Sequence, residues 1–304
     1  MQAIQTAAAA PSGKTIDQRH DLAAAEFHRD YVARGLPVLI SGKTTGWPAL
    51  DKWSPEYFGK RAADLPIVIK EYGREGNIKA AKWRMSDYVS FLIEHGANVE
   101  VDAETVPYCH DIPIFGMIPG LFEDATPFPL DYLSPWYRDR WWRYVQFFMG
   151  PANSVTPLHF DTLLTHNLFV QVVGRKRFTI VAPEDAKHCG RRGWRWFDVN
   201  PEQPDLKRFP EYKNARPVEV LVSPGDMLYL PPHTLHHVRS LDVSISFNID
   251  FHTTSSALKG VVAALRGMPA KSVYYNLLST MGVVFRLPPD LIFPLYKSYL
   301  SYVS

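Results

Sequence analysis

The sequence predicts a mainly β domain, a compact antiparallel sandwich or barrel, with α/β additions in front of it and helices behind. Three observations carry this expectation. From Trp141 to Phe251 the chain is a succession of short β-prone runs broken by turns. Ahead of that stretch, strand-like and helix-like patterns alternate. Beyond Phe251 apolar residues recur at helical spacing, with a Ser or Pro near each start. With 304 residues and 46% hydrophobic content the chain can bury a substantial core, so one main domain is expected.

In chain order, residues 1–16 read as a flexible leader, because their alanine run lacks the basic start and apolar core of an export segment. Asp17 to Arg34 suits an amphipathic helix, with Asp17 placed to cap it and Gly35 to end it. Leu36–Ile40 is a strand candidate, and Ser54-Pro55-Glu56 is a helix start with Pro at the first helical position. Pro66–Tyr72 reads as a strand. Met85–His95 reads as a helix, with Ser86 or Asp87 as cap and Gly96 as stop. Thr105–Asp111 is extended in character, and residues 113–136 are rich enough in Pro and Gly to be loops with at most a short helix.

Trp141–Met149, Asn167–Val173 and Lys176–Val181 read as strands, the last two as a hairpin about Gly174. Residues 183–217 have little periodicity and form an unusually long connection. Helices are expected over 255–266, 270–285 and 288–303. The division is therefore a leader, a main domain over 17–254, and C-terminal helices over 255–304.

The formal net charge of +2 gives no support to a polyanionic partner, so nucleic acid is not expected. Two cysteines, Cys109 and Cys189, are too few for a disulfide framework and fit a reducing, cytoplasmic setting. No stretch has the length of uninterrupted apolar residues that a membrane span needs.

The chemistry concentrates in two stretches. In Thr156-Pro157-Leu158-His159-Phe160-Asp161, His159 and Asp161 are one residue apart, which on an extended strand puts both side chains on one face. Gly225-Asp226-Met227-Leu228-Tyr229-Leu230-Pro231-Pro232 then leads to His236. Two imidazoles and a carboxylate with open positions suit Fe(II). Zinc is the competitor, but the chain has no His-Glu-X-X-His helix, and neither cysteine lies in the motifs.

These motifs, with Gly35-Leu-Pro-Val-Leu-Ile, Trp47-Pro48, Gly174-Arg-Lys-Arg-Phe and Arg208-Phe-Pro, resemble the Jumonji C, cupin-like Fe(II)- and 2-oxoglutarate-dependent oxygenases, nearest to the factor-inhibiting-HIF-like group. The resemblance implies a double-stranded β-helix, or jelly-roll, core. It implies His159, Asp161 and His236 as iron ligands, with His237 in a supporting or core role. Lys176 matches the residue that pairs with the distal carboxylate of 2-oxoglutarate. Thr156 and Tyr108 would add hydroxyl donors there, and Asn167 and Asn248 match amides near the cosubstrate's metal end.

Two departures stand out. Thr234-Leu235 replaces an aromatic pair before the distal histidine, which predicts a wider pocket. The segment between Asp161 and Asn167 is longer than the factor-inhibiting-HIF-like pattern has at this point, which offers His166 as an alternative pocket residue.

The implied reaction uses Fe(II), 2-oxoglutarate and O2 to hydroxylate a C–H bond, with succinate and CO2 as coproducts. A small-molecule substrate is the first expectation and a protein or peptide side chain the alternative. A tRNA-modifying hydroxylase and a non-enzymatic cupin-type binding protein follow, the last predicting a broken triad. Arg191, Arg192, Trp194, Arg195 and Trp196 are expected to form a lid for an anionic or aromatic substrate, or else a plain surface loop. The apolar C-terminal helices suggest a homodimer.

Overall fold

The structure, a computed structural model, describes residues 15–72, 78–100 and 106–300, the last four as backbone alone. Its centre is two facing sheets. Among the described residues, fifteen strands run in chain order as β1 (Asp17–His20), β2 (Val38–Ser41), β3 (Pro66–Tyr72), β4 (Ile78–Arg84), β5 (Tyr108–Ile112), β6 (Val145–Gly150), β7 (Val155–His159), β8 (His166–Val173), β9 (Lys176–Val181), β10 (Arg191–Arg192), β11 (Trp196–Phe197), β12 (Val218–Val222), β13 (Met227–Leu230), β14 (Leu235–Ser240) and β15 (Ser244–Phe251).

The larger sheet has the order β1-β2-β13-β8-β15-β6-β5-β3-β4 and the smaller β10-β11-β7-β14-β9-β12. Every pairing is antiparallel except β1 with β2. This is a jelly roll, with helices added at the C-terminal end.

Each central strand carries large apolar side chains because the layers on both faces must be kept dry. Behind the larger sheet, Trp53 packs edge-on against Phe58, Phe115 and Phe147, and Phe247 lies against Trp47 and Phe115. Each such fully buried side chain contributes about 1.5–3 kcal/mol. Between the sheets, Leu39, Phe169, Phe178, Ile180, Val220, Leu228 and Leu230 form a separate cluster at the closed end.

Several expectations are corrected. The helix predicted over Asp17–Arg34 forms only from Ala24, as a turn over Ala24–Glu26 that widens into a π-type stretch over Phe27–Val32. Asp17–His20 instead pairs with Val38–Ser41, and the Asp17 carboxylate accepts a hydrogen bond from the Tyr31 hydroxyl rather than capping a helix. Of the expected leader, residues 1–14 lie outside the described residues. Ile16 is not loose but buried in the cluster that holds Leu39 and Phe169.

Trp141–Tyr144 is a 3-10 turn, and the strand predicted from Trp141 begins at Val145. Phe128 stacks on Trp141 at 4.2 Å between ring centres, a one-sided aromatic contact that a pleated strand would not give. The Met85–His95 helix is entered from Arg84, whose backbone is extended, not capped by Ser86 or Asp87. Thr105 lies outside the described residues, and the extended segment is seen from Tyr108.

The long connection over 183–217 contains a 3-10 turn over Pro183–His188, the β10–β11 hairpin and a second 3-10 turn over Pro210–Asn214. After β15, Thr253 caps the first C-terminal helix through a reciprocal pair with Ser256. Helices span Thr254–Val262, Ala270–Val283 and Pro289–Leu300. Both cysteines are buried and unpaired, and no helix among the described residues is long and apolar enough to cross a membrane.

Candidate metal and cosubstrate site

His159 ends β7, and His236 lies directly opposite it on the neighbouring antiparallel strand β14. Each imidazole has Nδ1 against a backbone carbonyl two residues back, Pro157 O at 2.7 Å and Thr234 O at 3.2 Å. A carbonyl only accepts, so Nδ1 carries a proton in both rings and Nε2 is the atom each ring can offer to a metal. Burial, reinforced by His236 nearby, pushes His159 well below its ordinary value, which keeps it neutral.

Asp161 does not share the strand, as the sequence spacing implied. β7 stops at His159, and Asp161 reaches the same place from the turn that follows. His159, Asp161 and His236 each bring one donor atom within 4.8 Å of the others, a spacing that fits a single metal ion. Asn167, on β8 of the opposite sheet, donates from Nδ2 to Asp161 Oδ2 at 3.1 Å and so holds the carboxylate in place.

These donors open into a cavity of about 580 Å³, its mouth included. All eight residues singled out from the sequence line it: Tyr108, Thr156, His159, Asp161, Asn167, Lys176, His236 and Asn248. Asn248 Nδ2 donates to Asp250 Oδ1 at 3.0 Å, and the Oδ1 atoms of both Asn167 and Asn248 are buried without a partner.

Deep in the cavity Lys176 is almost wholly buried and donates to the Tyr108 hydroxyl at 2.8 Å and to Ser246 Oγ at 2.9 Å. No carboxylate among the described residues pairs with it. Burial lowers it to about 7. A dry ammonium that meets only hydroxyls is suited to an anionic ligand. Because Tyr108 accepts from Lys176, its own proton is left for that ligand, and burial keeps the phenol protonated.

Thr156 is placed differently from expectation. Its Oγ1 lies 3.2 Å from His110 Nε2. His110 Nδ1 lies 2.8 Å from Asp111 Oδ2, which assigns it the proton, and burial lowers His110 to about 4, so Nε2 is an acceptor. Thr156 therefore donates to His110 and turns lone pairs, not a donor, toward the cavity.

Behind His110 lies a group absent from the sequence expectations. Lys70 on β3, fully buried, pairs with Asp111 at 3.0 Å. Burial alone would raise Asp111, but His110 and Lys70 hold it well below the carboxylate range. The one available signal was that His110-Asp111 lies just beyond Tyr108, on the same extended segment.

His166 faces away from the cavity, with Nδ1 on the Tyr229 hydroxyl at 2.7 Å and its ring stacked on Phe251. His237 also points outward, 3.5 Å from Glu202. Burial raises Glu202, and His237 and Arg239 more than offset this, leaving it well below its ordinary value. Glu202 thereby pins the long connection to the smaller sheet. Neither Thr234 nor Leu235 lines the cavity, and Leu235 packs with Phe160 and Leu158 instead, so that dipeptide does not set its width.

The expected lid divides in two. Arg191 and Trp194 face a second hollow beside Phe160 and His233, Arg192 pairs with Asp198 at 2.9 Å, and Arg195 lines the metal cavity while Trp196 stacks its ring 5.0 Å from that of His159.

Jelly roll, paired histidines with a carboxylate, and a buried lysine at the far end of one cavity define a domain of the Fe(II)- and 2-oxoglutarate-dependent oxygenase class, which uses O2 as the third component. The chain belongs to the cupin-like domain family, whose pattern matches residues 24–257. It is 30% identical over 239 residues to lysine-specific demethylase 8 of Danio rerio, covering 77% of this chain and 57% of that one. It is 26% identical to the bifunctional peptidase and (3S)-lysyl hydroxylase JMJD7 of Homo sapiens, over 73% and 79% of the two chains. It is 27% identical to the 2-oxoglutarate and iron-dependent oxygenase JMJD4 of Gallus gallus, over 77% and 59%. The chain spans little more than half the length of the demethylase and of JMJD4.

Proposed function

We propose that this chain hydroxylates a C–H bond of a protein or peptide side chain, with Fe(II) held by His159, Asp161 and His236. The observation that carries the reading is the pairing, in one cavity, of those three donors with Lys176, a buried cation without a carboxylate partner among the described residues. When bound, iron and 2-oxoglutarate supply the oxidising chemistry with O2 and release succinate and CO2.

The protein's own part is placement. Lys176 and the Tyr108 proton take the distal carboxylate, as a point charge and a directed donor. Asn167 orients Asp161, and the free Oδ1 atoms of Asn167 and Asn248 offer acceptors near the metal end. Thr156 has its proton committed to His110, so its contribution is shape and an acceptor. Phe148, Phe169 and Phe178 keep the cosubstrate end dry.

The small-molecule substrate expected first from the sequence gives way to the alternative, because relatives named as a lysyl hydroxylase and a lysine-specific demethylase act on protein side chains. A tRNA wybutosine-synthesizing relative matches at 32% identity but over only 48% of the chain. The near-neutral net charge of +2 also gives little pull on a polyanion.

Succinate release from 2-oxoglutarate, followed against a panel of peptides with His159→Ala as control, tests the proposal. Peptide-stimulated succinate release and a 16-Da gain on a peptide, both lost in the variant, are expected. Equal iron-dependent consumption by wild type and variant would overturn it.

A further inference from the structure

Among the described residues, two cations face the metal cavity without an ion-pair partner: Lys176 at its closed end and Arg195 at its mouth. The first has an occupant in the reading above. The second does not.

Arg195 is held where it stands. Its carbonyl accepts from Phe160 N at 3.2 Å, and the indole of the preceding Trp194 donates to Thr162 O at 3.0 Å. These two bonds straddle Asp161, so the hairpin is fastened to the metal motif on both sides. The guanidinium lies 4.5 Å from the centre of the Trp196 ring, and that ring in turn lies against His159. A planar cation stacked on an aromatic face keeps its edge donors free and loses little freedom when they are used.

The nearby carboxylates are engaged elsewhere. Asp111 is taken by Lys70 and His110, at 3.0 and 2.8 Å, and Asp250 by Asn248. Asp161 lies among the metal donors and is held by Asn167. We propose that Arg195 is a specificity-determining residue that receives a carboxylate of the substrate next to the carbon being oxidised. The inference rests on the oxygenase reading above and names the substrate class more narrowly.

The fork of a guanidinium matches the two oxygens of a carboxylate, giving parallel hydrogen bonds and a fixed orientation. A phosphate dianion would call for a second cation, and Lys70 is already paired with Asp111. The carboxylate has two sources, an acidic residue of a peptide or a free small acid.

Mn(II)-loaded protein with 2-oxoglutarate is the sample. In one arm it is applied to arrays of short peptides whose residue beside a randomised centre is fixed as Glu, Gln or Lys. In the other, N-acetylaspartate binding is followed by ligand-observed NMR. Both arms are repeated with Arg195→Gln and Arg195→Lys.

The expected result is about tenfold stronger retention of Glu-flanked than Gln-flanked peptides, abolished in Arg195→Gln and partly kept in Arg195→Lys, where the charge remains but the fork is lost. Arg195-dependent binding of N-acetylaspartate alone would keep the carboxylate handle and assign it to a small acid. No Arg195-dependent binding in either arm, or a preference for Lys-flanked peptides in the wild type, overturns the inference. Calorimetric binding of 2-oxoglutarate to the same Mn(II) samples separates the two failures: if it is absent the oxygenase reading falls, and if it is present only the role of Arg195 does.

Discussion

Lys176 Nζ donates to the Tyr108 hydroxyl across 2.8 Å, a contact between the first residue of β9 in one sheet and the first of β5 in the other. Burial has moved this lysine from an ordinary 10.5 to about 7. A carboxylate ligand needs the charged form, so binding above pH 7 must draw a proton from solution. At pH 8, calorimetry in two buffers of different ionisation enthalpy should show uptake of close to one proton per 2-oxoglutarate. Affinity should fall as pH rises above about 7, by up to tenfold per unit until the pKa of the bound form is reached. Lys176→Met should abolish the uptake and weaken binding by roughly a hundredfold, about 2.7 kcal/mol. Buffer-independent heats in the wild type would refute the assignment. The same shift has a sign for folding: between about 7 and 10.5 the unfolded chain binds more protons, so the cost of burying this ammonium, full below pH 7, is relieved as pH rises.

Asn167 reaches across from the larger sheet to orient Asp161. Removing a group that orients a metal ligand typically costs 10- to 100-fold in metal affinity, about 1.4–2.7 kcal/mol. Asn167→Ala should lower Mn(II) affinity by that factor, read by calorimetry or electron paramagnetic resonance, with thermal unfolding of the metal-free protein changed by only a few degrees. Unaltered metal affinity would show that Asp161 is held by the turn alone.

Lys70 and Asp111 form a buried pair with His110 beside it. Lys70→Met leaves the Asp111 carboxylate without its cation, and breaking such a pair costs about 3–5 kcal/mol. Adding Asp111→Asn, a residue that tolerates the positive φ of 59° at this position, should return more than half of the loss in urea unfolding. Additive losses would mean that the two side chains are energetically independent.

Leu265, Phe285 and Leu291 in the C-terminal segment, the first two on the turns that link its helices, are 89%, 70% and 65% exposed, and the same segment exposes Leu258, Val262 and Leu277. We propose that a second copy covers this face, because an apolar area of this kind is costly to leave in water. Sedimentation of the wild type should give a dimer and that of Leu265→Glu with Phe285→Glu a monomer. A monomeric wild type at about ten micromolar, roughly the concentration at which a weak interface already associates, would remove the proposal.

The donors and the lysine were legible because each sits in a contiguous run whose residue types are themselves the signal: Thr156-Pro-Leu-His-Phe-Asp, the proline-led approach to His236, and Gly174-Arg-Lys. Lys70 and Asp111 were not. They lie on different strands about forty residues apart in sequence, and only the register that sets Lys70 opposite Tyr108 brings them together. Glu202 was hidden for the same reason, since its partners His237 and Arg239 come from a strand with no local link to it. Among the elements, β4 and β1 escaped notice because exposed edge strands carry no apolar alternation. Asp17–Arg34 was misread because its apolar residues face one core from two different elements, and the sum resembles a single helical stripe.

His236 and His237 are neighbours on β14, and which one meets the metal donors depends on how that strand is threaded. The irregularity between His236 and Val238, the pairing of His236 with both His159 and Ile180, and the Glu202 carboxylate that receives His237 on the outer side all fix one threading. Slippage by a single residue would exchange the two imidazoles between the faces, leaving a sheet with nearly the same strand content and the wrong histidine inside. Metal uptake by this protein is therefore a proofreading signal: a chain that loads a metal tightly has assembled its smaller sheet in the correct alignment, and far-ultraviolet spectra alone would not distinguish it from one that has not.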